Sequence, residues 1–204
     1  MKTCPIIQPQ LQQKLRSICP TLVLASQSPN RRQVLLDAGL TVIVRPQNIY
    51  EICGLSAPDE VVKNLSSQKC LSYLSSFDFN PQLPAIAVDT LVSLNGQLLG
   101  KPQGQAQAYQ MLSQLSGKWH QVYSGLSVYN PKNQSTTVAC AISDVLFKTL
   151  SPADINWYIS TGESLGAAGA YKIQQNGYRL ISQIKGSYSN IIGIPLELLV
   201  DILS

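Results

Sequence analysis

The chain has 204 residues, of which 45% are hydrophobic and 13% are charged. This length and composition suit one domain with a sizeable core, and they exclude a largely disordered chain. The net charge of +4 is scattered, with no basic run longer than Arg31-Arg32. Such a distribution argues against a nucleic-acid-binding surface and favours a small anionic ligand.

Cysteine spacing and hydropathy bear on the compartment. The five cysteines lie far apart, without a Cys-x-x-Cys pair. This spacing argues against a zinc site or a disulfide framework and favours a reducing compartment. No segment approaches the ~18 apolar residues of a membrane span, and the first twenty residues lack the apolar core of a signal peptide. We therefore expect a cytoplasmic protein that does not enter the membrane.

The first part of the chain predicts an extension followed by a strand–helix–strand unit. Residues 1–20 are polar and rich in Gln and Pro, so we expect an extension outside the core and one domain over residues 21–204. Residues 21–25 and 40–44 are short apolar runs typical of strands. Ser28-Pro29 predicts a helix start between them, because Ser is a favoured N-cap and Pro fits the first turn.

The middle of the chain predicts a helix, a hairpin and a second helix. Ser56-Ala-Pro-Asp59 resembles a capping box, and the helix after it carries Lys69 one turn beyond Leu65. Residues 84–94 predict a strand that ends at the hairpin signal Asn95-Gly96. Apolar residues at helical spacing then predict a helix that ends near Gly117.

The last part mixes strands and helices. Apolar alternation on both sides of the turn at residues 130–133 predicts an antiparallel pair. A capped helix starts after Ser151, a strand lies near residues 178–184, and a terminal helix begins at Pro195. The interleaving of helices and strands predicts the α/β class, with an antiparallel lobe left open.

Asp89 is the most distinctive residue, in a chain with only 11 Asp and Glu. It follows the apolar run at residues 84–88 and precedes Thr90, which predicts a buried strand that delivers an acid to its end. Open α/β sheets bind their ligands at such ends. The alternative is a hairpin with a solvent-facing acid and a paired lysine, which the apolar run makes less favourable.

Lys101 follows the hairpin signal and could bring a positive charge close to Asp89. Counting back from a two-residue turn at Asn95-Gly96 places Thr90 opposite Lys101. Alternation then puts Asp89 on the other face, so a bulge or a frayed strand end is needed for both to reach one substrate.

The loop at residues 26–32 suits an anion. It combines hydroxyl groups, backbone N–H groups at a helix start and an arginine fork that grips phosphate oxygens. The alternative is that Ser28 only caps the helix and that the arginines are solvated.

Three further residues carry weaker signals. Glu51 could be a second carboxylate for a metal ion. Lys69 could serve the same site, or it could only extend from the apolar stripe of its helix. His120 has no evident acidic partner, so we expect a structural hydrogen bond rather than a catalytic base.

In this order, these segments resemble the Maf family of nucleoside triphosphate pyrophosphatases, from about Leu22 to Leu199. Five separated motifs carry the resemblance: Ala25-Ser-x-Ser-Pro-x-Arg-Arg32; Asp89-Thr90; Gly100-Lys-Pro102; Met111-Leu-x-x-Leu-Ser-Gly-Lys-x-His120; and Ala168-Gly-Ala-Tyr-x-Ile-Gln174, followed by Asn190-x-x-Gly-x-Pro195. Together they are far more specific than any one of them.

The resemblance implies an elongated mixed sheet with flanking helices around a central cleft, like that of inosine triphosphate pyrophosphatases. It implies hydrolysis of a nucleoside triphosphate to the monophosphate and pyrophosphate, with Mg or Mn as the divalent cation. Asp89 falls on the position of the catalytic acid. The phosphate and metal residues fall on Ser28, Arg31, Glu51, Lys69 and Lys101, with Glu51 and Asp89 as metal carboxylates. The family often forms dimers, which leaves a homodimer open.

Three positions bear on the base. The specificity positions of the family fall on Asn30, Thr90 and Gln174, and the last two are similar to the branch that acts on dTTP and UTP. That branch usually has Arg where this chain has Asn30. Two further departures are residues 164–167, which lack an acid and a base of the family pattern, and Lys172, which replaces a glycine. These departures leave two alternatives open: a modified or purine nucleotide such as 7-methyl-GTP as substrate, or a non-catalytic nucleotide sensor in cell-division control.

Overall fold

A computed structural model of the chain describes residues 7–50 and 53–204. Its centre is a seven-stranded mixed sheet. The strands are β1 Thr21–Leu24, β2 Thr41–Val44, β3 Ala85–Leu94, β4 Gln97–Leu99, β5 Trp119–Asn130, β6 Ser135–Phe147 and β7 Ile181–Lys185. The predicted α/β class is confirmed.

The sheet combines a parallel part with an antiparallel part. The strand order is β2-β1-β3-β5-β6-β7, with β4 paired to β3. β1 is parallel to β2 and β3, whereas β3, β5, β6 and β7 follow one another in antiparallel pairs. The long β5–β6 hairpin is the antiparallel pair that the apolar alternation predicts.

Helices cover both faces of the sheet. They are α1 Pro9–Ile18, α2 Pro29–Asp37, α3 Pro58–Leu74, α4 Gln105–Leu115, α5 Pro152–Ser160, α6 Tyr188–Ile192 and α7 Leu196–Leu203. One core joins α1, α2 and α7 to the face of β3 that carries Ile86 and Val88. A second core joins α4 and α5 to the other end of that face. α3 packs on the opposite face, against Ala85 and Ala87.

One edge of β3 has a gap in its strand pairing. β5 covers the other edge from Ala85 to Ser93. On the gapped edge, β1 pairs only with Ala85 and Ile86, and β4 pairs only from Val92 onward. Within the described part of the chain, residues 87–91 therefore have no neighbouring strand on that side, which leaves an opening in the sheet beyond the carboxyl end of β1.

This gap corrects the position predicted for Asp89. The residue lies in the middle of β3 and not at the end of a strand, because pairing with β5 continues beyond it to Ser93. β1, rather than β3, ends at the opening. The ligand site nevertheless lies at the carboxyl end of a strand, because β1 ends where the middle of β3 is left uncovered.

The hairpin has the predicted register, with Leu94 opposite Gln97, but the predicted pairing of Lys101 with Thr90 does not form. The turn at Asn95-Gly96 forms as expected, with φ values of 51° and 84° that suit a two-residue hairpin. The ladder, however, stops at the pair Val92–Leu99. Lys101 therefore follows the strand in a loop and does not face Thr90 across a ladder.

Residues 7–20, the described part of the N-terminal segment, pack against the core, whereas an extension outside the core was expected for residues 1–20. Helix α1 packs its one fully buried side chain, Leu15, into the core that contains α7. Leu15 is only 1% exposed, and Ile7 before the helix is 4% exposed. Leu11, Leu15 and Ile18 recur at helical spacing, but the surrounding Gln and Pro residues favoured the interpretation as an extension. The boundary of the catalytic domain at residue 21 stays a prediction.

Candidate active site

A cavity of about 600 Å³ opens at the gap in β3. This volume is in the range of small-molecule sites in proteins. Its walls come from the loop after β1, from residues 47–49, from the segment at residues 165–174 and from residues 191–193, and Thr90 and Val92 of β3 face it. The site is therefore built from segments that are distant in the sequence.

Arg31 is held in place on one face of the sheet. Ser28 caps α2 by accepting the Arg31 backbone N–H at 3.4 Å, which sets the start of the helix. The guanidinium then donates to the carbonyl of Gly193 at 2.8 Å, to Ser26 Oγ at 3.1 Å and to Thr90 Oγ1 at 3.0 Å. Three fixed acceptors orient the fork, so the alternative of a solvated arginine is excluded at this position.

A buried hydroxyl chain supports the Arg31 contact. Thr90 Oγ1 lies 3.0 Å from Ser124 Oγ, and Ser124 donates to the carbonyl of Asn190 at 3.2 Å. Ser124 and Asn190 are both fully buried. Gly193 is required nearby, because it has φ of +102° and an added Cβ would lie 3.1 Å from Thr90 Oγ1. The Asn190-x-x-Gly motif thus presents a carbonyl to the arginine.

Lys69 and Asp89 meet on the other face of the sheet. Lys69 Nζ lies 2.5 Å from Asp89 Oδ1, and the two side chains are only 14% and 13% exposed. The helix can approach this closely because β5 has Gly125 beside Asp89, and a Cβ there would overlap the carbonyl oxygen of Val62 in α3. Asp89 therefore does not face solvent, and Lys69 does more than extend from an apolar stripe.

The two faces meet around the open edge of β3. Asp89 and Thr90 are consecutive, so their side chains point to opposite faces. Lys69 from one face and Arg31 from the other nevertheless line the same cavity. Asp89 itself lies behind Lys69, which forms the wall. Asp89 therefore does not line the cavity and is joined to its wall through the ion pair with Lys69.

The charge of the cavity wall is positive. Four cationic residues line it, and among the lining residues that the structure describes there is no carboxylate. These are Arg31, Lys69, Lys101 and Lys172. An anionic group would find several charged donors there, with Asp89 as the nearby acid.

The remaining predicted residues divide into two groups. Ser28, Asn30 and Gln174 line the cavity together with Thr90, Lys101 and Lys69. Glu51 lies outside the described residues.

One further residue with a potential role, Ser124, was not predicted as part of the site. The sequence indicates it by a serine at a position of β5 that alternation places inward, between Val122 and Leu126.

His120 is structural, as expected. It is 2% exposed, and its Nε2 lies 2.9 Å from the hydroxyl of Tyr171. The rings of Phe147 and Tyr171 pack edge-on against it, at centroid distances of 4.9 Å and 5.4 Å. Burial lowers the pKa of His120 from 6.5 to about 4. A neutral imidazole therefore supports Tyr171 beneath the cavity wall.

The described side chains could hold a metal ion only together with ligands from the substrate. Across residues 7–50 and 53–204, no group of three or more His, Cys, Asp or Glu side chains could hold a metal ion. Asp89 offers carboxylate oxygens, which are the donors that Mg²⁺ prefers. Mg²⁺ commonly binds through one or two carboxylates while phosphate oxygens and water complete its shell. The described residues therefore fit a cation that enters with a polyphosphate.

The sequence is similar to known proteins over most of its length. A family model described as Maf-like protein matches residues 21–204. A dTTP/UTP pyrophosphatase of Clostridioides difficile is 38% identical over 183 residues, which cover 89% of this chain and 93% of that protein. A dTTP/UTP pyrophosphatase of Pelotomaculum thermopropionicum is 37% identical, over 89% of this chain and 94% of that protein.

A third relative has a broader name. The nucleoside triphosphate pyrophosphatase of Synechococcus elongatus is 35% identical over 185 residues, which cover 90% of this chain and 92% of that protein. The family model spans the whole sheet and every cavity segment described above. The chain belongs to the Maf family.

Proposed function

We propose that this chain hydrolyses dTTP and UTP to the monophosphate and pyrophosphate. The observation that carries the proposal is the cavity wall itself, with four cations and a buried Lys69–Asp89 pair at its edge. The names of the similar bacterial proteins support the same reaction and the same substrates.

The cations would bind the triphosphate. The fork of Arg31 is already oriented by Gly193 and Thr90, which reduces the entropy lost on binding. Lys69 and Lys101 add positive charge along the wall, and such donors stabilise the charge that develops on a departing pyrophosphate. Each contact of this kind commonly contributes about a hundredfold to the rate.

Asp89 would act as general base. A water molecule attacks the α-phosphorus, the new P–O bond forms, and the bond from the α-phosphorus to the bridging oxygen breaks. The water proton passes to the carboxylate of Asp89, and pyrophosphate leaves with the bond electrons. Lys69 donates to Oδ1 of this carboxylate, so we assign the proton to Oδ2.

A divalent cation, Mg²⁺ or Mn²⁺, would bind with the substrate. Asp89 is the described residue that would hold it, and Glu51 is the second carboxylate that the family resemblance implies. When bound, the cation supplies Lewis-acid neutralisation of phosphate charge.

Base recognition would depend on Asn30, Thr90 and Gln174. Gln174 offers both a donor and an acceptor, which suits the edge of a pyrimidine base. The hydroxyl of Thr90 already contacts Arg31 and Ser124. We therefore expect a change at Thr90 to affect phosphate binding as well as base choice.

The direct test compares nucleotides and one variant. UTP and dTTP with Mg²⁺ should release pyrophosphate faster than 7-methyl-GTP or CTP. Asp89→Asn should lower kcat by about a hundredfold or more, because general-base catalysis is lost. Asp144→Asn is the matched control, since Asp144 lies on β6 opposite Lys185 and outside the cavity lining.

Three results would contradict parts of this proposal. Equal pyrophosphate release by Asp89→Asn refutes the base assigned to it. A preference for 7-methyl-GTP supports the alternative substrate class, which Asn30 favours. Saturable nucleotide binding with negligible hydrolysis supports the nucleotide sensor instead.

Compartment and assembly stay predictions. In the part of the chain that the structure describes, no helix has the length and hydrophobicity needed to cross a bilayer. We expect the cytoplasm from the cysteine pattern and a homodimer from the family resemblance. The small nucleotide is the partner that the cavity supports.

A further inference from the structure

Lys172 is a cation of the cavity wall to which neither the motifs nor the relatives give a role. It belongs to an extended segment at residues 171–174, in which Tyr171 has φ of −144° and ψ of 157°. Tyr171 and Ile173 are 5% and 2% exposed, whereas Lys172 and Gln174 are partly exposed. Alternation along the segment therefore places the side chains of Lys172 and Gln174 on one side, where both line the cavity.

The backbone of this segment is anchored independently of the lysine side chain. The N–H of Lys172 donates to the hydroxyl of Tyr158 at 3.0 Å. Its carbonyl packs against Gly177, where an added Cβ would overlap the oxygen. Further along the wall, the N–H of Gly169 donates to the carbonyl of Gly100 at 3.0 Å. A substitution of the lysine side chain leaves all three contacts available.

The ammonium of Lys172 has no counter-ion within residues 7–50 and 53–204. Lys69 differs in this respect, because it pairs with Asp89, and the guanidinium of Arg31 donates to Thr90. Among the described residues, the Lys172 side chain forms no ion pair and no hydrogen bond. A lysine ammonium offers three donors, and the described wall has no carboxylate to accept them.

We propose that Lys172 is a substrate-binding residue whose ammonium contacts the polyphosphate of the bound nucleotide. The identity of the ligand rests on the proposed function. Phosphate is favoured over the base because lysine acts as a point charge for anionic oxygens, while Gln174 already offers the donor and acceptor that a neutral base edge needs. Since Lys172 replaces a glycine of the family pattern, this contact belongs to this chain in particular.

The test measures binding of inorganic tripolyphosphate and of UTP by calorimetry, together with UTP kinetics. Lys172→Ala should weaken binding of both ligands and raise KM by about tenfold, while kcat changes by less than about twofold. Lys172→Arg should restore most of the affinity, because it keeps the charge. Lys132→Ala is the matched control: Lys132 is exposed in the β5–β6 turn, outside the cavity lining, and should behave like the unaltered chain.

Several outcomes would overturn the assignment. Unchanged binding of both ligands by Lys172→Ala excludes the contact. A loss of UTP affinity with unchanged tripolyphosphate binding assigns Lys172 to the base instead. A loss that Lys172→Arg does not restore indicates a structural role. If the unaltered chain cleaves no nucleotide, the proposed hydrolysis fails, whereas the tripolyphosphate comparison still decides the role of Lys172.

Discussion

Two consecutive residues, Asp89 and Thr90, bind cations from opposite faces of one strand. Asp89 pairs with Lys69, and Thr90 accepts from Arg31. Local alternation predicted that the two side chains diverge, but it could not show that a cavity joins them. That outcome depends on where β1 and β4 stop pairing with β3, which is set by distant parts of the chain.

His120 gives a prediction at the same scale. It is the only histidine of the chain, and burial lowers its pKa to about 4. As the pH falls, the imidazole is therefore protonated at a higher pH in the unfolded state than in the folded state. Burial of the neutral imidazole contributes fully to stability above about pH 6.5, and this contribution is lost as the pH falls towards 4. The free energy of unfolding should fall by up to about 3 kcal/mol over this window.

A proton NMR titration checks this prediction, because one histidine gives a single imidazole Hε1 signal. We expect a constant chemical shift from pH 8 to about pH 5 in the folded protein. The same chain in concentrated urea is the control and should titrate near pH 6.5. A folded-state midpoint near that of the control would show that the ring is not buried as described.

At the scale of elements, the approach of α3 to β5 decides whether Lys69 reaches Asp89. Gly125 allows this approach, because any Cβ there would overlap the backbone of Val62. Lys69 lies seven residues beyond Val62, on the same face of the helix. Displacement of α3 should therefore lengthen the Lys69–Asp89 contact.

Gly125→Ala should destabilise the fold by about 1–3 kcal/mol, because backbone atoms must move to admit the methyl group. Activity should fall as well, even at temperatures where the variant is fully folded. Chemical denaturation and UTP hydrolysis measure the two effects. Gly54→Ala is the control, since an added Cβ there meets no atom of the described residues within 4 Å, and it should change stability by less than about 0.5 kcal/mol. Equal behaviour of the two variants would contradict the close packing of α3.

Elements with strong local chemistry were predictable. The turn at Asn95-Gly96 and the capping box of Ser151 with Asp154 form as the sequence indicates. The box expected at Ser56 does not form, because α3 starts one residue later, with Ala57 as N-cap. Helix α1 was missed although Leu11, Leu15 and Ile18 lie at helical spacing, because the Gln-rich composition favoured an extension over a helix docked on the core.

At the scale of the molecule, the mixed sheet brings together segments from almost the whole chain. Ser28 lies at the carboxyl end of β1, Lys69 on α3, Lys101 after β4 and Gln174 near the last strand, yet all four line one cavity. The family resemblance predicted most of this set. It indicated three of the four wall cations but not Lys172, which departs from the family pattern and whose orientation depends on the packing of Tyr171 and Ile173.

We propose above that water attacks the α-phosphorus of a nucleoside triphosphate bound in this cavity. Hydrolysis of UTP in ¹⁸O-labelled water, followed by mass spectrometry of the products, locates the attacked phosphorus. We expect one ¹⁸O atom in the uridine monophosphate and unlabelled pyrophosphate at early times. Label in the pyrophosphate, or release of labelled orthophosphate with uridine diphosphate, would contradict it.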